Sequence, residues 1–293
     1  MKTLKVGLLQ MRMARDRDAN LERAAQMIRR AGTKGAELIV LPELHAIRYP
    51  CQTETPAVFD RAEQIPGPST EFFGVLARRH RVVLVLSIFE RRGPGLFHNT
   101  AVVIERNGKI VGKYRKMHIP DDPGFYEKYY FTPGDLGFSP VRTTAGTLGV
   151  LVCWDQWYPE AARLMALGGA DLLIYPTAIG WSPGEPATER RRQREAWITI
   201  QRGHAIANGL PVICVNRVGA EQAPGRRDRL DFWGSSFACG PQGEFLARAG
   251  TTAETVLIAG IERRRTEQVR RIWPFFRDRR IDAYGDLLKR YRV

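Results

Sequence analysis

Apolar runs bounded by Gly, Pro or charged residues recur along the chain and define its elements. Positions 4–11 read as a strand. Leu21, Ala24, Ala25 and Ile28 follow at helical spacing, which predicts a helix over 20–32. Positions 38–41 are a wholly apolar strand that stops at Pro42-Glu43. A strand without polar alternation is buried on both faces, as in sheets covered by helices. After the breaker Pro66-Gly67-Pro68, a Ser69/Thr70 cap predicts a helix over 69–80, and 82–89 is another buried strand. Strands 99–105 and 110–114 flank Arg106-Asn107-Gly108-Lys109, whose Asn-Gly centre predicts a hairpin.

A Pro-, Gly- and aromatic-rich loop is expected over 115–138; loops this long inside a compact domain usually carry function. Strand 149–153, helix 159–168 and strand 171–176 come next. A second loop, 180–190, precedes helix 194–208 and strand 211–216. Strands 234–239 and 244–249 turn at Pro241-Gln242-Gly243, and strand 255–260 closes the core. Two stretches echo one another: VGLLQM, helix, GAELIVLPEL in the first half and GVLVCWD, helix, GGADLLIYPTA in the second. Two such halves imply paired sheets with helices outside.

Composition narrows the class. The 293 residues are 44% hydrophobic, enough for a large core in one α/β domain. Positions 1–10 lack an apolar leader and cleavage site, and no stretch is long and apolar enough to span a membrane, so no membrane partner is expected. Cys51, Cys153, Cys214 and Cys239 are widely spaced with no CxxC pair, which favours a reducing, cytoplasmic setting. A net charge of +14 raises the question of nucleic acid. The arginines are scattered, however, and neither Arg190-Arg191-Arg192 nor the basic C-terminal run lies in a nucleic-acid-binding module, so no such partner is expected.

Three residues carry candidate chemistry. Cys153 ends a buried strand just before a helix, where α/β sheets collect ligands, and the backbone N–H of Trp154 is placed to meet an oxyanion. The alternative is a small core residue, the reading kept for the other three cysteines. Glu43 ends an apolar strand, and a buried carboxylate needs partners. Lys116 lies where a strand enters the long loop. His118 suggests a Cys/His dyad, but the sequence places no group to orient it.

Together these residues resemble the nitrilase superfamily of carbon–nitrogen hydrolases. Its three motif regions occur in order: LIVLPEL at 38–44, YRKMHIP at 114–120 and LVCWDQWYPE at 151–160. The likeness is closest to the branch of N-carbamoylputrescine amidases, through HIPDDPGFYEKYYFTPGD at 118–135, the stretch 153–180, and W…QRGHAIAN at 197–208. The resemblance implies a four-layer αββα sandwich over 1–262 as a single domain, with a tail over 263–293 packing on a neighbouring subunit of a homo-oligomer, a dimer or a multiple. It implies Glu43 as base, Lys116 as cation and Cys153 as nucleophile, with Glu127 supporting the lysine. Lys116 and the N–H of Trp154 would hold the oxyanion. Neither a metal nor an organic cofactor is called for.

The small amide or ureido substrate is expected to meet Trp157, Tyr129, Asp122, Trp181 and Glu185. The plant enzymes of that branch place a distal glutamate where this chain has Ser182, and Glu185 stands nearby. No arginine follows Cys153, so an ammonium or neutral distal group is expected over a carboxylate.

Overall fold

The computed structural model describes residues 3–225 and 227–292. Two six-stranded sheets form its centre. The first runs in the order Thr255–Ile261, Leu4–Gln10, Leu38–Val40, Val83–Gly93, Leu96–Ile104, Ile110–Arg115. In the second the order is Phe245–Arg248, Phe237–Cys239, Val212–Asn216, Leu172–Thr177, Gly146–Val150, Val141–Thr143. Each sheet lays down three parallel strands and then two antiparallel ones in the same chain order. One further antiparallel strand closes each, Thr255–Ile261 beside the first and Val141–Thr143 beside the second. The echo between the halves is thus a repeated topology.

Strand side chains alternate between faces. Leu38 and Val40 join the core shared with the second sheet, whereas Ile39 and Leu41 join the core under helices Arg17–Thr33 and Pro68–His80. Helices Pro159–Leu167 and Ala187–Asn208 cover the second sheet through Ala162, Met165, Trp197 and Ala205. With both faces of the central strands of both sheets buried, the layers stack as αββα.

Several elements depart from the sequence expectations. The helix expected over 194–208 begins at Ala187, because Pro186 caps it without losing an interior N–H. The loop expected over 180–190 is correspondingly short, and Gly180–Trp181 pairs with Leu230–Trp233, which also pairs with Val218–Glu221. The 115–138 segment is not structureless: Asp121–Asp122 pairs with Phe125–Tyr126, and Glu127–Tyr130 forms one helical turn. The strand expected to reach Cys153 ends at Val150. Beyond 262, helix Arg263–Ile272 lies on its own chain's body: Arg263 donates to the Ala145 carbonyl and Arg270 to that of Gly209.

Candidate active site

Two strand ends and one helical turn bring one charged cluster together. Glu43 follows Leu38–Val40; its N–H donates to the Thr177 carbonyl of the other sheet at 3.3 Å, and the next N–H, of Leu44, donates to Ser87 Oγ at 3.0 Å. Lys116 follows Ile110–Arg115 and is pinned by its N–H to the Asn99 carbonyl (2.9 Å) and by the Gly134 N–H to its own carbonyl (2.8 Å). Glu127 opens the helical turn Glu127–Tyr130. All three side chains are buried. Lys116 Nζ donates to Glu43 Oε1 at 2.9 Å and to Glu127 Oε2 at 2.6 Å. Asn99 Nδ2 donates to the same Glu43 oxygen at 2.6 Å. Glu43 Oε2 is buried with no hydrogen-bond partner among the described residues, so it is free to take a proton.

Cys153 stands at a sharp elbow. Its φ of 42° lies in the left-handed region, which costs a non-glycine residue about 1–3 kcal/mol and persists only where the surroundings enforce it. Asp155 supplies the enforcement. Its buried carboxylate accepts from the Val152 N–H (2.9 Å), the Tyr114 hydroxyl (2.9 Å) and the His118 N–H (3.0 Å), and lies 2.7 Å from His118 Nδ1. The sulfur lies 3.9 Å from the Ala178 carbonyl.

A carboxylate does orient His118, although the sequence pattern placed none there. The His118 ring stacks on Tyr158 with centroids 3.7 Å apart, and His118 is not among the residues lining the cavity that holds Cys153. Its observed partners make it a brace for the Asp155 turn.

The charges are strongly coupled. Burial pulls the Lys116 ammonium down, but the carboxylates of Glu127 and Glu43 outweigh it and hold it protonated, well above the usual lysine range. Burial, and then the charge of Glu43, push the Cys153 thiol well up, against the pull of Lys116. The resting sulfur is therefore a thiol that needs a base. Burial raises Glu127, with Glu43 adding to it, while Lys116 and Tyr49 pull it back, leaving it at about 7.

Cys153, Trp154 and Glu127 line a cavity of about 660 Å³. Of the residues expected to meet substrate, Asp122, Trp157 and Glu185 line it as well. Tyr129 does not: two residues after Glu127 on one helical turn, it points to the opposite side, against Phe59 and Tyr130. Trp181 does not either. Gly180 and Ser182 face the cavity, so the residue between them faces away; its ring packs on Trp233 and its Nε1 donates to the Arg190 carbonyl at 2.9 Å. The earlier start of helix Ala187–Asn208 brings Glu189 and Arg192 to the rim. Sequence reasoning missed Asn99, Tyr49 and Arg217; the first is a polar residue in an apolar strand, a signal that was present in HNTAVVIE. Among the described residues no group of three or more His, Cys, Asp or Glu is arranged to hold a metal ion.

Fold and site together define a class: a layered α/β sandwich in which a thiol lines a cavity together with Glu127, and Lys116 and Glu43 are buried behind it in one hydrogen-bonded cluster with Glu127. A family model described as carbon–nitrogen hydrolase matches residues 5–271. The chain belongs to the carbon–nitrogen hydrolase family and is an enzyme of that kind. It is 41% identical to an N-carbamoylputrescine amidase of Solanum lycopersicum, over 97% of this chain and 94% of that one. A citrullinase of Francisella tularensis is 38% identical over 99% of this chain and all of that one. Among solved structures, a carbon–nitrogen hydrolase from Helicobacter pylori G27 superposes with a TM-score of 0.96 at 54% identity, covering 99% of this chain and all of that one.

Proposed function

We propose that this hydrolase cleaves the terminal C–N bond of an N-carbamoyl amine whose far end is cationic. The observation that carries the reading is the cavity itself. Its floor holds the thiol, and the groups further out include the carboxylates of Asp122, Glu185 and Glu189. Glu185 Oε2 is a buried oxygen without a hydrogen-bond partner among the described residues, a ready acceptor for an ammonium. It takes over the role of the distal glutamate that Ser182 replaces. Relatives named for carbamoylputrescine and for citrulline support the substrate class.

In this reading Glu43 Oε2 removes the proton of Cys153, and the sulfur attacks the carbonyl carbon. Lys116 Nζ and the Trp154 N–H hold the oxyanion; such a donor lowers the barrier by about 3–4 kcal/mol. The C–NH2 bond breaks, ammonia leaves with the proton held by Glu43, and a carbamoyl thioester remains. Water, deprotonated by Glu43, attacks that thioester and releases the thiol. The carbamate product decays to CO2 and the amine. Glu127 keeps Lys116 charged and in place.

Arg192 at the rim favours a second substrate, an ω-ureido α-amino acid, since its guanidinium suits a carboxylate beside the ammonium that Glu185 or Glu189 would take. Ammonia release from N-carbamoylputrescine, citrulline, N-carbamoyl-β-alanine and simple amides decides. The reading expects the highest kcat/KM for an amine-bearing ureido compound; a preference for N-carbamoyl-β-alanine overturns it. We place the enzyme in the cytoplasm, where its four free, buried cysteines stay reduced, and as a homo-oligomer.

A further inference from the structure

Lys116 accounts for one oxygen of Glu127; the other has its own partner. Tyr49, 2% exposed, donates its hydroxyl to Glu127 Oε1 at 2.7 Å. The Tyr49 ring is fixed by Phe125 and Phe232, with centroids 5.5 and 5.8 Å away. Its main chain is fixed by a buried ion pair. Glu221 Oε2 accepts the Tyr49 N–H at 2.6 Å, and Glu221 Oε1 accepts from Arg217 Nη1 at 2.7 Å. The same Arg217 donates through Nη2 to the Glu43 carbonyl (2.7 Å) and the Leu44 carbonyl (3.1 Å), and its guanidinium lies over the rings of Tyr49 and Phe232. One buried arginine therefore ties the backbone that carries Glu43 to the backbone that carries the partner of Glu127. Desolvating an ion pair is costly, and here the cost is offset by hydrogen bonds to the two segments that frame the site.

We propose that Tyr49 is a positioning residue for hydrolysis: its hydroxyl holds Glu127 against Lys116, and the Arg217–Glu221 pair holds Tyr49 and Glu43 on one frame. The inference rests on the proposed function, in which Glu127 acts through Lys116. Without the hydroxyl, Glu127 Oε1 is a buried acceptor with no donor. The carboxylate then binds a proton more readily and gives up part of its hold on the ammonium. The charged and titratable groups that act on Glu127 are Lys116, Glu43 and Tyr49, and Glu127 in turn acts on the thiols of Cys51 and Cys153. Of these, only Tyr49 is changed by the test.

The test is Tyr49→Phe, assayed by ammonia release on the best substrate of the panel. The expected result is a fall in kcat of about 10- to 100-fold, the range of a lost hydrogen bond to a charged group, with KM close to that of the parent. The acid limb of the kcat/KM profile, set by ionisation of Glu127, should move to higher pH. In the cycle with Glu127→Gln, the second substitution should add much less than its single effect, because both remove the same constraint. Should Tyr49→Phe fail to fold, 3-fluorotyrosine at position 49 reads the same bond in reverse: a more acidic phenol donates more strongly and moves the acid limb to lower pH. An unmoved acid limb, with losses that multiply in the cycle, overturns the role of Tyr49 alone. Full activity in Glu127→Gln strikes the underlying reading instead.

Discussion

The two halves of the chain share a topology and divide the chemistry. In each, a parallel strand ends around a proline: Pro42-Glu43 lies in the turn just after Leu38–Val40 in the first, and Pro176-Thr177 are the last two residues of Leu172–Thr177, where the chain turns away, in the second. The two turns meet, the Glu43 N–H bonding to the Thr177 carbonyl. In the first half the turn carries a buried carboxylate tied to Lys116; in the second it carries a hydroxyl bonded to the Tyr175 carbonyl and Gln156. The preceding strand shows the reverse. Aligned through Gly7 and Gly149, the echo sets Met11, a core residue, against Cys153, the thiol at the elbow. The charged machinery thus lies on one half and the thiol on the other. A repeat tolerates this asymmetry because two covered sheets keep the fold whichever strand end carries the chemistry.

Removing the thiol should break the comparison most completely. Cys153→Ala makes the second half as inert as the first at that position, and turnover should fall by about 10⁴-fold or more, with thermal unfolding little changed. Substantial ammonia release from that variant would remove Cys153 from the mechanism. Next in size are changes on the charged half. Glu43→Thr installs the residue that the second half carries, and should cost roughly 10³-fold in kcat, since base and thiol act as a unit. Lys116→Met should cost as much activity and also stability. It leaves Glu43 and Glu127 buried without a cation, a loss of about 3–5 kcal/mol that denaturant melts would read. A Lys116→Met protein as stable as its parent would mean that the two carboxylates share a proton instead.

Much of this division was legible in the sequence, for physical reasons. LIVLPEL and LLIYPT read as strands buried on both faces, and so as covered sheets, because they lack polar alternation. Glu43 stood out because a carboxylate at the end of such a run needs partners. Lys116 was different: one cation among 45 basic residues carries no local signal, and only its place in an ordered set of motifs singled it out. Tyr129 and Trp181 were misplaced because a loop reading gives no direction to side chains, and direction came only with the helical turn at Glu127–Tyr130 and the Gly180–Trp181 strand. Arg217 was hidden for a related reason. Its partners are mostly backbone carbonyls more than a hundred residues away, and nothing local foretells them.

The rim should respond more gently than the floor. Glu185→Gln removes a charge from the outer part of the cavity without touching the thiol cluster. It should raise KM for an amine-bearing ureido substrate by about 10-fold, as expected for one partly solvated charged hydrogen bond, and leave turnover of a short neutral amide unchanged. Equal losses on both substrates would show that Glu185 serves the structure of the loop. Arg192→Ala sharpens the test further: it should weaken citrulline selectively if the α-carboxylate docks there, and leave N-carbamoylputrescine unaffected.

The smallest kinetic effect is expected where the symmetry of the halves ends. After Thr255–Ile261 closes the first sheet, the chain crosses to the second half. There Val269 is buried and Phe276 sits under the guanidiniums of Arg163 and Arg270. The outermost tail is different in kind. Ile281, Leu287, Leu288 and Tyr291 are 73%, 64%, 96% and 81% exposed, an apolar content unusual for a free surface. We infer that this stretch packs on a second copy of the chain. Because helix Arg263–Ile272 is anchored to its own body, a stop after Arg277 keeps that helix and Phe276 and removes only the outlying segment. The truncated protein should keep kcat and KM, since none of the described residues removed lines the cavity, and should lose mass in light scattering by a whole number of subunits. An unchanged number of subunits would confine the tail to its own chain and leave assembly to another surface. A loss of activity at constant assembly would instead mean that the tail steadies helix Ala187–Asn208, whose first turns carry Glu189 and Arg192, through Arg270 and the carbonyls of Asn208 and Gly209.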